Sequence, residues 1–136
     1  PLNTSIGWPA PCAGRIETFT CASASGEPSG LSRTSTRMAG WLPGARIVKT
    51  LNQVGAEIMA DAARLPHRPV MLMAGDDASA KDSVARLLTD LGFEALDAGA
   101  LTKARLLEPF AMVWINQALL RGKGRHWAFA AVQARS

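Results

Sequence analysis

Cysteines, histidines and adjacent carboxylates are the residues from which metal centres and nucleophilic sites are usually built, and this sequence has few of each. Cys12 and Cys21 lie in a polar stretch rich in Gly, Ser, Thr and Pro, and the eight residues between them match no zinc or thioredoxin spacing. Two unpaired loop thiols are the preferred reading, with a small loop disulfide as the alternative. His67 and His126 are the only histidines and neither stands near a cysteine, so no metal centre is expected. Asp76-Asp77 precedes a helical stretch, where a carboxylate accepts from free backbone N–H groups and meets the positive end of the helix dipole. Capping, rather than metal binding, is expected of that pair. Lys49 is unusual because it interrupts an apolar strand: it either reaches out at the sheet end or pairs with a carboxylate, and a catalytic lysine is the minority reading. Arg105 and Glu108 have the spacing of an ion pair on one helix, which is expected ahead of a contact to substrate.

Charge adds one asymmetry. The net charge is +4, and from Leu101 onward Lys103, Arg105, Arg121, Lys123, Arg125 and Arg135 face a single acid, Glu108. A solvated helix face is the plain reading; a phosphate, an acidic coenzyme tail or a nucleic acid are the others. Nucleic-acid binding would need aromatics interleaved with the cations, and only Trp127 and Phe129 offer that, so it is set aside. No apolar run is long enough to cross a bilayer, and a soluble protein is expected. The start, Pro1-Leu2-Asn3-Thr4, has no Met, basic segment or apolar segment of a leader and reads as a chain cut from something longer.

The elements that must position these residues begin late in the chain. Residues 1–34 are expected to be irregular, followed by a short helix over Arg33 to Leu42 that ends at Pro43-Gly44. Arg46 to Leu51 has the β-branched texture of a strand, and Gly55 to Ala63 that of a small-residue helix. Val70 to Ala74 lacks polar alternation, as a strand buried on both faces does. Val84, Leu87, Leu88 and Leu91 make one apolar stripe on a helix from Ala78 to Leu91, which Gly92 stops before a strand over Phe93 to Asp97. A parallel crossover is therefore expected. Thr102 to Leu120 is a second long helix with Pro109 inside it, and a kink or break is expected near Leu106 to Glu108. Beyond the proline, Phe110, Met112, Val113, Trp114 and Ile115 are apolar on every face, which requires burial in the core or against a second subunit. Trp114 is expected in one of those places rather than as a stacking platform. His126 to Val132 is expected to form a short helix or strand.

The order of several short motifs resembles one known family. Leu42-Pro43-Gly44-Ala45-Arg46-Ile47-Val48-Lys49-Thr50-Leu51-Asn52, Gly55-Ala56-Glu57, Pro69-Val70-Met71, Ala74-Gly75-Asp76-Asp77, Leu91-Gly92-Phe93, Asp97-Ala98-Gly99 and Ala104-Arg105-Leu106-Leu107-Glu108-Pro109 together resemble the second half of the NADPH-dependent reductases of the deazaflavin coenzyme F420. The match runs over about residues 35 to 129. It implies an α/β fold: a partial Rossmann-like sheet of three to four mostly parallel strands with flanking helices and a long C-terminal helix. On this division residues 35–136 are the C-terminal half of a Rossmann-type NADP-binding domain.

The family's Gly-x-Gly-x-x-Gly turn, which binds the NADPH pyrophosphate, has no counterpart here; Gly26 to Gly30 follows no apolar strand and is rejected. Pro1-Leu2 matches the end of an Asn-Pro-Leu segment that the family places near the nicotinamide. The resemblance implies hydride transfer between NADPH and a deazaflavin or flavin-like acceptor, in a cytoplasmic enzyme. No catalytic acid or base is assigned, because the two cofactors carry that chemistry. It further implies an acceptor-ring pocket of Asn52, Val54, Gly55 and Ala56, with Ala111 as a wall. Asn52 stands where some members carry a histidine, and capping of the next helix is its equally weighted alternative. Arg125 and His126 match the family less well. The chain alone is expected to be inactive without the glycine-rich half, the rival reading being an inactive fragment or partner-binding half-domain. An open sheet edge and an apolar helix lead to the expectation of a homodimer through residues 102–120.

Overall fold

The structure is a computed structural model that describes residues 37, 38 and 40–134, together with the backbone of 16–19. The expectations placed on Pro1-Leu2, Cys12, Cys21 and Gly26 to Gly30 lie outside the described residues. Four strands form one sheet in the order β1-β2-β3-β4: β1 (Ile16–Phe19), β2 (Arg46–Lys49), β3 (Val70–Gly75) and β4 (Glu94–Asp97). β1 falls within the segment expected to be irregular. The helices are α1 (Ala56–Ala60), α2 (Ala78–Asp90) and α3 (Ala104–Ile115); 3-10 turns occupy Ala62–Arg64 and Leu101–Lys103, and a π-turn, Asn116–Leu120, extends α3. Arg37, Met38, Gly40 and Trp41 are helical, and Gly44 turns the chain at φ +83° before β2.

β1 pairs with β2 and β3 with β4 in parallel, while β2 and β3 run antiparallel, with Val48 opposite Gly75 and Lys49 opposite Ala74. The expected crossover is present as β3-α2-β4. Side-chain alternation along β3 divides the core. Met71 and Met73 pack with Val48, Val84, Leu88 and Phe93, whereas Leu72 and Ala74 meet Ala104 and Leu107 of α3. Phe93 and Leu88 are wholly enclosed, each burial stabilising the fold by about 1.5–3 kcal/mol.

Asp77 caps α2 by accepting from the Ala80 N–H at 2.7 Å, and Asp76 instead accepts from the Leu101 N–H at 2.9 Å, setting the turn into α3. Gly92, at φ +90°, ends the helix where a side chain would be strained. Val84 and Leu88 are buried on the α2 stripe, but Leu87 lies at its margin and is exposed.

Helix α3 differs from expectation in two respects. It runs through Pro109 without a break near Leu106 to Glu108, and its irregularity comes later, as the π-turn. Pro109 lacks the N–H that would bond the Arg105 carbonyl, but Arg105 is exposed and water can serve that oxygen. Only one stripe of the helix is buried in this chain: Ala104, Leu107, Ala111 and Trp114, continued by Ala118. Leu106, Met112, Val113, Leu119 and Leu120 remain exposed. His126 to Val132 forms neither helix nor strand. Among the described residues no helix is long and apolar enough to cross a membrane.

Candidate functional site

The turn after β2 starts at an uncommon backbone conformation. Leu51 has φ 57°, in the left-handed region that L-residues with branched side chains rarely occupy, so the strand ends there although its apolar texture continues. Thr50, Gln53 and Val54 are buried, Asn52 is half-buried and Ala56 is exposed. Thr50 Oγ1 donates to the Leu72 carbonyl at 2.9 Å. The Gln53 carboxamide donates from Nε2 to the same oxygen at 2.9 Å and accepts from the Leu72 N–H through Oε1 at 2.9 Å.

Two contacts seat this turn on the buried stripe of α3. Asn52 Nδ2 donates to the Leu107 carbonyl at 3.3 Å, while Asn52 Oδ1 accepts from Gln53 Nε2 at 3.4 Å. Gly55 lies so close to the Trp114 ring that a Cβ built on it would come within 3.0 Å of the indole, and within 2.6 Å of the Glu57 carboxylate. Ala111 lies between Leu107 and Trp114 on that stripe. The residues 52–56 and Ala111 therefore share one locality, but they differ in access. Asn52 and Ala56 reach solvent, whereas Val54, Gly55 and Ala111 are enclosed. Gly55 is also the N-cap of α1, with no side-chain cap bond, so Asn52 does not cap that helix.

Lys49 and Glu108 complete the seam between β2 and α3: the ammonium Nζ is 2.7 Å from Oε1 of the carboxylate. This replaces the expected Arg105–Glu108 pair, because the buried lysine has the greater need of a counter-charge than an exposed arginine. Trp114 belongs to the core. Its Nε1 donates to the Trp127 carbonyl at 2.9 Å, and the two indoles stack with centroids 5.9 Å apart. Phe129 joins Trp127 and Phe110, and its carbonyl accepts from the Val70 N–H at 2.9 Å, so the C-terminal tail lies across the start of β3.

Arg125 pairs with Glu57 at 3.0 Å. The Glu57 carboxyl is held below the usual carboxylate range by a hydrogen bond with its own backbone N–H, reinforced by the Arg125 guanidinium. A cleft of about 430 Å³ beside this pair is lined by Glu57, Asp61, Arg64 and His126. Among the described residues no group of three or more His, Cys, Asp or Glu is placed to hold a metal ion.

Gln53 is not among the residues that the sequence marks for this site. A glutamine between a strand and a glycine carries no signal of burial; the one hint is that Thr50 to Gln53 follow an apolar run with Asn52 as their single turn-forming residue. Lys49 does carry a signal, being a charge within an apolar strand.

No protein-family model matches the sequence, and no curated protein matches it. Among solved structures, the chain is similar to a protein of Arthrobacter sp. FB24 assigned as an F420-dependent NADP-reductase, with 33% identity and a TM-score of 0.64 over 73% of this chain. It is also similar in fold to a hypothetical protein of Sinorhizobium meliloti, with 24% identity and a TM-score of 0.54 over 68% of this chain. The chain spans about half the length of these two proteins, 46% and 48% respectively. It has an α/β fold with a Rossmann-like partial sheet, similar over most of its length to that of the Arthrobacter reductase.

Proposed function

We propose that the chain belongs to the family of NADPH-dependent F420 reductases and supplies the acceptor side of a hydride-transfer site. The turn of Asn52, Val54, Gly55 and Ala56, with Ala111 behind it, then receives a deazaflavin or flavin-like ring. The observation that carries the reading is the 33% identity to the Arthrobacter protein over 73% of this chain. The geometry agrees with it in one respect: the small side chain of Ala56 is exposed beside a half-buried Asn52. After its two bonds, the Asn52 amide retains one N–H and one carbonyl lone pair for a ring's polar edge. The cofactors supply the hydride chemistry when both are bound, and this chain's residues hold and orient the acceptor.

NADPH fits these residues less well. The sequence has no Gly-x-Gly-x-x-Gly turn for the pyrophosphate, so on this reading NADPH is held by polypeptide other than these 136 residues. That same lack favours the second reading, a half-domain that binds a partner and reduces nothing. Under either reading the exposed face of α3 pairs two copies of the chain, and a cytoplasmic setting accompanies the reductase reading.

Titration of the chain with F420 and separately with NADPH, followed by the fluorescence of each, tests the proposal. Saturable F420 binding with weak or absent NADPH binding is expected. Binding of neither cofactor would contradict the reductase reading and leave the half-domain.

A further inference from the structure

The register of β2 against β3, Val48 with Gly75 and Lys49 with Ala74, would set Leu51 opposite Leu72 if the strand continued. It does not continue, because Leu51 turns away at φ 57°. The N–H and C=O of Leu72 would then lack a partner in β2, and Thr50 Oγ1 reaches only the carbonyl. The Gln53 side chain takes the vacant place. A carboxamide has the donor and acceptor of a peptide group, and Gln53 presents both to Leu72, each at 2.9 Å, while remaining 1% exposed. The same Nε2 reaches Asn52 Oδ1 at 3.4 Å. The side chain thus joins the core of the sheet to the one polar residue of the candidate pocket that reaches solvent.

We infer that Gln53 is a positioning residue: its amide substitutes for the missing strand peptide and so fixes the turn that orients Asn52 and Ala56 toward the acceptor. This rests on the reading of residues 52–56 as the ring site. Packing alone does not account for the arrangement, since an apolar side chain of equal length would fill the space and leave the Leu72 N–H without its acceptor, Thr50 Oγ1 serving only the carbonyl. The role is therefore carried by the hydrogen-bond pattern, and it can be tested by changing that pattern at constant size.

Two variants of the full chain do this. Gln53→Met keeps the length and removes donor and acceptor. Gln53→Glu keeps the shape but, when ionised, presents only acceptors to the Leu72 carbonyl and to Asn52 Oδ1; when protonated it again offers one donor and one acceptor. Native-state amide exchange at Leu72 and F420 fluorescence titration are measured for both, with wild type at every pH as the reference.

In Gln53→Met, Leu72 exchange should rise about tenfold or more while amides of α2 keep their protection, and F420 binding should weaken about tenfold. Gln53→Glu should bind F420 as weakly at neutral pH and return to within about threefold of wild type once acid protonates the new carboxylate. That recovery separates positioning by hydrogen bonding from a merely steric role. Unchanged Leu72 exchange in Gln53→Met, or F420 affinity equal to wild type in both variants, would overturn the inference and leave the ring site standing. If wild type itself binds no F420, the ring-site reading fails first and the positioning role falls with it.

Discussion

The Lys49 ammonium lies 2.7 Å from the Glu108 carboxylate and joins the end of β2 to the second turn of α3, the two elements on either side of the candidate pocket. The Lys49 side chain is only 4% exposed, with this carboxylate beside its ammonium. Glu108→Ala should destabilise the fold by about 3 kcal/mol, because an unpaired ammonium would remain in the interior. The double variant Lys49→Met with Glu108→Leu should recover most of that loss. Urea unfolding checks both, and a Glu108→Ala midpoint equal to wild type would show that the lysine does not depend on the pair.

Gly75 sets how closely β2 and β3 can approach. A Cβ there would stand 2.8 Å from the Ile47 carbonyl oxygen and 3.2 Å from Val48 Cγ2, and the first of these is backbone that cannot rotate away. Gly75→Ala should cost about 1–3 kcal/mol and lower the melting temperature. A melting temperature at or above that of wild type would mean the strands separate without penalty.

Acid should weaken the fold through two hydrogen-bonded carboxylates, Asp77 and Asp97. Asp77 is held below the ordinary aspartate value by the Ser79 hydroxyl and then the Ala80 N–H, and Asp97 by the Lys81 ammonium and the Gly99 N–H. A carboxyl with a lower pKa folded than unfolded binds fewer protons when folded, so its stabilisation is complete above the unfolded value and is lost as pH falls through the folded one. Melting temperature should therefore decline below about pH 4. Asp77→Asn, which retains the capping geometry, should show a shallower decline. An equally steep acid limb would assign the loss to other groups.

Leu106, Met112, Val113, Leu119 and Leu120, each more than half exposed, form an apolar face on α3 and its extension. If two copies pair there, the chain sediments as a dimer at micromolar concentration, and Val113→Glu sediments as a monomer with an unchanged circular dichroism spectrum. Wild type sedimenting as a monomer, or Val113→Glu remaining a dimer, would remove that interface.

The sequence makes some of this architecture legible and hides the rest for physical reasons. The run Val70 to Ala74 is readable because a strand covered on both faces needs apolar residues at every position, and Val84 and Leu88 because helical burial has a period. Strand direction has no such mark: a buried strand has the same texture parallel or antiparallel, so the reversal between β2 and β3 is invisible. The end of β2 is hidden as well, since Leu51 continues the apolar pattern although the backbone turns away there, and the partner that Leu72 finds instead, Gln53, is a side chain two residues on. Glu108 shows a third limit, where a long-range partner with a buried charge displaces the local pair with Arg105. Within the candidate site, the short motif Gly55-Ala56-Glu57 marks the turn, while its attachment to Leu107 and Trp114 is a tertiary fact with no local signature.

The central claim is that the turn at residues 52–56 meets an acceptor ring at its exposed edge, and a single obstruction there tests it most directly. Ala56 is exposed at the start of α1, so Ala56→Trp should fold as wild type does while blocking the approach of a flat ring. Fluorescence titration with F420 should show saturable binding by wild type and binding weakened about tenfold or more in Ala56→Trp, with equal melting temperatures. No saturable binding by wild type, or equal affinity in the two proteins, would contradict the account.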